Sequence, residues 1–419
     1  MDLDNEYKSF EKKYNLKWDL SFKSLVNYSN YKETPFQRWH YYQEGYSPLL
    51  VEKLINHLNL KKKGLTLFDP FVGSGSTLVG AQQLGIKGIG IELNPFSHFM
   101  SMVKTKKYSQ TSIDECKNFK LPKFSVIEDV YNNYNLSIIE KLYNIGSLSK
   151  IELIKNKINK INDIGTKEIL NTTLLSILEN TSNYKKGGNG LKKRKKENTL
   201  DVYIEFKNKL KQIISDIENK NNPSSIEVIH DNAQNMNHII LDDSIDIAIF
   251  SPPYVNCFDY FEVYKIELWL GGFVKSYDSL RKMRKSALTS NLNAIQNHTS
   301  NQKVHSQLYE HSTSMINQSE LWDKRIIKML YLYFLEMEEI LLKLKNKMKS
   351  KGKVVIVVGN SAYGGIPIAT DLILSEISES VGFKVREIIV ARKNETSSQN
   401  YSKIGSLIKY IRESLIVLE

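Results

Sequence analysis

The run Ile245-Asp246-Ile247-Ala248-Ile249-Phe250 ends directly on Ser251-Pro252-Pro253-Tyr254, and this junction constrains the fold more than any other stretch of the chain. A β-branched, nearly unbroken apolar run of this length reads as a strand buried on both faces, the kind found in a parallel sheet covered by helices. The tetrapeptide then falls at the carboxyl edge of the sheet, where open α/β sheets hold their ligands. Each proline fixes its φ and lacks an N–H, so the turn is stiff and presents carbonyl acceptors. A planar amino group can donate its two hydrogens to Ser251 and a proline carbonyl while Tyr254 stacks on its ring. That arrangement concentrates electron density on the nitrogen and suits methylation of an exocyclic amine.

A second constellation lies near the N-terminus. Gly64-Leu65-Thr66-Leu67 leads into Phe68-Asp69-Pro70-Phe71-Val72-Gly73-Ser74-Gly75-Ser76-Thr77, and the helix-like Leu78-Val79-Gly80-Ala81-Gln82-Gln83-Leu84 follows. This reads as strand, glycine turn, helix, with Gly73 and Gly75 letting backbone approach a ligand at a helix N-terminus. The next strand, Gly88-Ile89-Gly90-Ile91, ends in Glu92, near the spacing at which an acidic residue meets a ribose in such βαβ units. The third glycine of the dinucleotide pattern is replaced by Leu78, and no Gly-Lys-Ser/Thr follows to grip phosphates. The two features together predict a cofactor with an adenosine but no phosphates, S-adenosylmethionine.

With these motifs the chain resembles the amino-group DNA methyltransferases: Asp69 to Gly75 is similar to their cofactor motif, including Phe71, and Ser251 to Tyr254 to their catalytic motif. Arg38-Trp39-His40-Tyr41-Tyr42-Gln43-Glu44-Gly45-Tyr46-Ser47-Pro48 and the following Leu49 to Ile55 resemble the family's N-terminal segment, which implies that Ser47 and Pro48 close over the methionine end of the cofactor. Ile226-Glu227-Val228-Ile229-His230-Asp231 resembles its third strand, with Asp231 as the implied contact to adenine. The resemblance implies a Rossmann-like α/β sheet with helices on both faces, completed by a terminal strand pair. It also implies double-stranded DNA as partner and leaves open a companion restriction endonuclease; a stacked duplex base cannot reach such a pocket, so a flipped target base is expected. A serine in the first catalytic position is more typical of cytosine N4 than of adenine N6 enzymes. Adenine N6 methylation, the same chemistry on RNA, and a non-catalytic DNA-binding subunit with this fold are the alternatives.

The order of elements divides the chain into a cofactor-binding half at 1–102, an inserted helical basic region at 103–222, the catalytic half at 223–272, a polar insertion at 273–325, and the rest of the sheet at 326–419. The first insertion carries apolar residues at helical spacing, as in Ile151 to Ile158 and Ile169 to Leu178. The second is rich in Ser, Asn, Gln and His, with Arg281-Lys282-Met283-Arg284-Lys285 near its start, and reads as a loop that orders on a partner. Either insertion is a candidate for recognising the target sequence, since Gln, Asn, Arg and Lys read base edges. Lys and Arg total 58 against 46 Asp and Glu, a net charge of +12, which suits a polyanionic partner. The charge is densest from Lys185 to Lys196, where Lys185, Lys186, Lys192, Lys193, Arg194, Lys195 and Lys196 surround three glycines, predicting a mobile loop that settles on phosphates.

Cys116 and Cys257 form neither a CxxC pair nor a disulfide framework, so a reducing cytoplasm is expected. Cys257 follows Asn256 rather than a proline, unlike the thiolate nucleophile of cytosine C5 chemistry, and reads as a packing residue. The scattered histidines suggest no metal site. No signal peptide or membrane-length apolar stretch appears.

Overall fold

The computed structural model describes residues 2–27, 33–43, 45–188, 190–197, 200–219, 224–296, 302–394 and 403–419. Glu44, Asn189, residues 220–223 and residues 297–301, all inside segments named above, lie outside them. The strands are β1 (Leu16–Trp18), β2 (Thr66–Asp69), β3 (Lys87–Glu92), β4 (Tyr184–Gly187), β5 (Gly190–Lys193), β6 (Ile226–His230), β7 (Ile245–Phe250), β8 (Met348–Gly359), β9 (Ser361–Tyr363), β10 (Ile366–Ile368), β11 (Val385–Lys393) and β12 (Arg412–Leu418).

Eight of them form one sheet in the order β1-β11-β12-β8-β7-β2-β3-β6. Only β12 runs against its neighbours, pairing antiparallel with both β11 and β8. This is a Rossmann-like α/β sheet with helices on both faces. Alternate strand residues enter opposite layers, as the period of two requires. Phe68, Ala248, Phe250, Ile356 and Ile416 face the layer of helices Ile326–Lys347 and Thr370–Ser380. Leu67, Ile247, Ile249, Val357 and Leu415 face helices Leu49–His57 and Ser76–Gln83. The one polar residue of the apolar run explains itself here: Asp246 accepts from the Thr66 N–H at 2.9 Å and pins the start of β2 to β7.

Helices Gln110–Lys117, Ile145–Asn159, Ile164–Thr181 and Val202–Glu218 pack into a second core. That core is continuous with Phe258, Tyr264 and Trp269 just beyond the Ser-Pro-Pro-Tyr turn. Asp216 on the last of these helices gathers the N-terminal segment, accepting from Phe36 N at 3.1 Å, Trp39 Nε1 at 2.9 Å and the Arg38 guanidinium.

Three expectations change. Lys185 to Arg194 is not a loose loop but the antiparallel hairpin β4–β5, with Tyr184 opposite Lys193 and Gly187 opposite Gly190. The polar insertion is not uniformly loose either, because helix Gln307–Ser314 buries Leu308 and Tyr309, and Glu376 accepts from Ser306 Oγ at 2.6 Å and Leu308 N at 3.0 Å. β1 is an edge strand parallel to β11 that the sequence did not announce, since three residues carry no readable periodicity.

Replacing Asp216 with alanine removes the acceptor shared by the partly buried Arg38 guanidinium, Trp39 Nε1 and Phe36 N, so it should lower unfolding free energy by about 3 kcal/mol in urea denaturation. A loss under about 1 kcal/mol would show that the segment is held elsewhere.

Candidate active site

β2 and β7 are hydrogen-bonded neighbours, and their onward connections leave in opposite directions, β2 toward β3 and β7 toward β8. A crevice therefore opens at their carboxyl ends. Two cavities fill it, and they share Gly45, Tyr46 and Ser251. One is largely apolar, walled by Phe71, Val72, Leu93, Ala233 and Leu288, with Glu92, Asn94 and Asn232 at its edge. The other is polar, with Gln43, Tyr254, Asn256, Arg392 and Glu413 among its walls.

Asp69 ends β2 almost fully buried. Its carboxylate accepts from Phe71 N at 2.8 Å and from Thr77 Oγ1, with Tyr46 OH at 3.5 Å, so it ties the glycine turn and the N-terminal segment to the strand. Glu92 ends β3 and accepts from Gly73 N at 2.8 Å and Asn94 N at 2.7 Å. Burial pushes both carboxyls up to about 7, against hydrogen bonds that pull them down. Gly73 has φ +53°, and a Cβ there would meet the Tyr42 ring at 3.2 Å.

The structure brings together Asp69, Phe71, Gly73, Glu92, Ser251 and Pro253, all lining the apolar cavity, and places Tyr254 in the polar one. Pro252 is buried and lines neither. Four further residues sit elsewhere. Gly75 takes φ +91° with its Cα against Ser101, where a Cβ would fall 2.7 Å from Oγ, so it serves packing on helix Pro95–Thr105. Ser47 is fully buried and its Oγ accepts from Leu49 N at 3.2 Å, while Pro48 caps helix Leu49–His57; the cavity wall passes instead to Tyr42, Gly45 and Tyr46. Asp231 turns its carboxylate to Asn232 N at 2.6 Å and Asn235 Nδ2 at 2.8 Å, and the wall is made by Asn232 and Ala233.

Sequence reasoning also missed Ala287 and Leu288, which carry the start of the polar insertion onto the apolar cavity. No periodic or motif signal marks them. Nor does the sequence give Tyr42 a role; its ring stacks on Tyr264 at 4.9 Å with an interplanar angle of 9°.

Among the basic residues, Lys186 is a correction. Its side chain is 1% exposed and its Nζ pairs with Glu267 and, at 3.0 Å, with Glu179, so it is unavailable to phosphates. Burial opposes its charge, but the two carboxylates outweigh that and hold it above its usual value. Nearby His40, 2.8 Å from Glu267, is held near 4 by burial and by Lys186, hence neutral at pH 7. Arg194 is partly buried and donates to Ser182 O at 3.0 Å and Glu179 O at 3.1 Å. Lys185, Lys192, Lys193, Lys195 and Lys196 are exposed. Cys257 Sγ packs 3.6 Å from Met329 Sδ and 3.5 Å from Tyr363 OH, and burial raises the thiol, as befits a packing residue.

The apolar slot, the Glu92 carboxylate and the buried Asn94 Nδ2, which has no partner among the described residues, fit an adenosine with a ribose diol and no phosphates. Residues 2–103 match the N6/N4 family model described as DNA methylase. The chain is 29% identical over 453 residues to the Type II methyltransferase M.BsoBI of Geobacillus stearothermophilus, covering 95% of this chain and 88% of that protein. It is 28% identical over 423 residues to the Type II methyltransferase M.AvaI of Nostoc sp., covering 91% and 86%. The Type II methyltransferase M.MvaI of Kocuria varians is 22% identical over 368 residues, covering 81% and 80%. The chain is similar to the amino-group DNA methyltransferases, and this similarity supports S-adenosylmethionine as the cofactor. No described helix is long and apolar enough to cross a membrane.

A ribose hydroxyl donates to an ionised carboxylate, so affinity for S-adenosylmethionine should weaken by up to roughly tenfold per pH unit as pH falls below about 7. Calorimetric titration of the wild type against Glu92→Gln checks this; the variant should bind more weakly and lose that part of the dependence. A wild-type affinity that stayed flat across pH 7 would remove Glu92 from the cofactor site.

Proposed function

We propose that the protein is a site-specific DNA methyltransferase that transfers a methyl group from S-adenosylmethionine to the N4 amine of a flipped cytosine, in a Type II restriction-modification setting within the cytoplasm. The observation that carries the reading is the meeting of an apolar and a polar cavity at Ser251. Ser251 in the first catalytic position supports cytosine, and the similarity to Type II methyltransferases supports the Type II setting and its companion endonuclease.

When bound, S-adenosylmethionine supplies an electrophilic methyl group on a sulfonium that leaves as a neutral thioether. An exocyclic amine is a poor nucleophile because its lone pair is delocalised into the ring. Ser251 Oγ and the turn carbonyls accept its hydrogens and bias the nitrogen toward tetrahedral geometry, and orientation supplies much of the acceleration. Gln43 Oε1, buried in the polar cavity's wall without a partner among the described residues, offers a further acceptor for an N–H donor. A stacked duplex base cannot reach this cavity, so the base is extruded onto Tyr254. The exposed lysines of the hairpin flank the opening, since Gly188 at its turn lines the polar cavity, and they meet backbone phosphates. Helix Tyr277–Ser286, with exposed Arg281 and Lys282, is linked to this surface through Arg284, which pairs with Glu262 at 2.6 Å.

Incubation with S-adenosylmethionine and unmodified bacterial genomic DNA, followed by nucleoside mass spectrometry, should yield N4-methylcytosine. N6-methyladenine would reverse the base, and no methylated base despite cofactor binding would overturn the DNA assignment. Ser251→Ala should lower kcat about 100-fold while cofactor affinity changes less than about twofold. Alanine at Lys185, Lys192, Lys193, Lys195 and Lys196 together should weaken binding to all sequences alike and reduce the salt slope by about 0.9 for each phosphate no longer neutralised. An unchanged slope would remove the hairpin from the interface.

A further inference from the structure

The ring of Tyr254 is clamped by the sheet. Gly359 closes β8 beneath it, and a Cβ at that position would lie 2.9 Å from Tyr254 Cε2 and 3.0 Å from Cδ2. Only a residue without a side chain lets the ring settle there. Directly opposite Gly359 in the β8–β12 register stands Glu413. Its Oε1 accepts from Tyr254 OH at 2.7 Å, and its Oε2 accepts from Arg392 Nε, across the β11–β12 register. Glu413 is 3% exposed, so its charge is kept where it is by the guanidinium and the phenol rather than by water. Tyr254, Arg392 and Glu413 all wall the polar cavity.

We infer that Glu413 is a positioning residue for methyl transfer: with Gly359 and Arg392 it locks Tyr254 as a rigid platform against which the target base is oriented. The inference rests on the polar cavity being the base site. A tyrosine held only by its Cβ would swing about χ1 and χ2, and a stacked base would swing with it. Fixing the hydroxyl on a buried carboxylate and seating the ring on a glycine removes that freedom before the substrate arrives, which is what raises the fraction of productive orientations. The three clamping residues come from the ends of three adjacent strands, so the platform is as stiff as the sheet.

The test measures steady-state methylation of DNA and cofactor affinity for wild type, Tyr254→Phe, Glu413→Ala, Glu413→Gln, the Tyr254→Phe/Glu413→Ala double variant and Gly359→Ala. Tyr254→Phe should lose about tenfold in kcat/KM for DNA and Glu413→Ala about thirtyfold, the loss of one charge-assisted hydrogen bond. Because both break the same hydrogen bond, Glu413→Ala should cost no more than about threefold further in the Tyr254→Phe background. Glu413→Gln, whose amide oxygen still accepts from the phenol while its NH2 meets the Arg392 guanidinium donor to donor, should recover only part of the activity. Gly359→Ala displaces the ring and should lose about tenfold with cofactor affinity unchanged, and it decides the matter should Glu413→Ala not fold. Losses that multiply in the double variant, or Gly359→Ala methylating like the wild type, overturn the clamp alone. A wild-type protein that binds cofactor and methylates no DNA overturns the base site and the clamp together.

Discussion

Everything at the site depends on β2 lying beside β7. The two strands pair in parallel, Leu67 with Ile247 and Phe68 with Ala248, and a single hydrogen bond from Thr66 to Asp246 joins residues 180 positions apart. Parallel strands buried on both faces have no solvated alternative, so burial of these apolar runs makes the adjacency obligatory. Because the connections from the two strands run to opposite sides, a crevice opens between their ends. The glycine turn and the Ser-Pro-Pro-Tyr turn consequently face one another across a cleft, without any direct hydrogen bond between the motifs having to arrange it.

A second layer of constraint stiffens the rim. His40 from the N-terminal segment, Lys186 from the hairpin and Glu267 from the helix after the Ser-Pro-Pro-Tyr turn meet in a cluster that is almost completely buried. Removing three polar groups from water is costly, and their mutual attraction repays it only in one geometry. The cluster thereby fixes where the hairpin stands relative to Tyr42, whose ring stacks on Tyr264, and so relative to the wall of the apolar cavity. The basic hairpin is thus held at the mouth of the site by its own buried lysine, while its other lysines stay in solvent.

Much of this was legible in the residues. The two motifs announced themselves because each combines strand periodicity with turn chemistry that few local structures share, as at Gly73 and at Pro252-Pro253. Helices such as Ile145–Asn159 and Ile164–Thr181 were readable from apolar spacing alone. Failures came where a residue's type fixes no partner. Ser47 and Asp231 carry the right chemistry for binding a ligand, yet local backbone N–H groups compete for their oxygens and win, as they often do for Ser and Asp. Lys186 looked like its neighbours because pairing across a hairpin puts alternate residues on opposite faces, and only the fold says which face is buried. Leu288 and Glu413 were invisible for the converse reason: each is an ordinary apolar or acidic residue until the chain carries it to a cavity wall.

The sequence by itself determined the central strands, the cofactor class and the Ser-Pro-Pro-Tyr turn, because hydrophobic periodicity and the fixed dihedrals of glycine and proline act over a few neighbouring residues and leave little choice. The tertiary structure decided which of the candidate side chains reach the crevice, what clamps Tyr254, and which lysines remain free for phosphates. Those outcomes depend on interactions between residues far apart in the chain, whose competition for burial and hydrogen bonds is resolved only when every layer has packed.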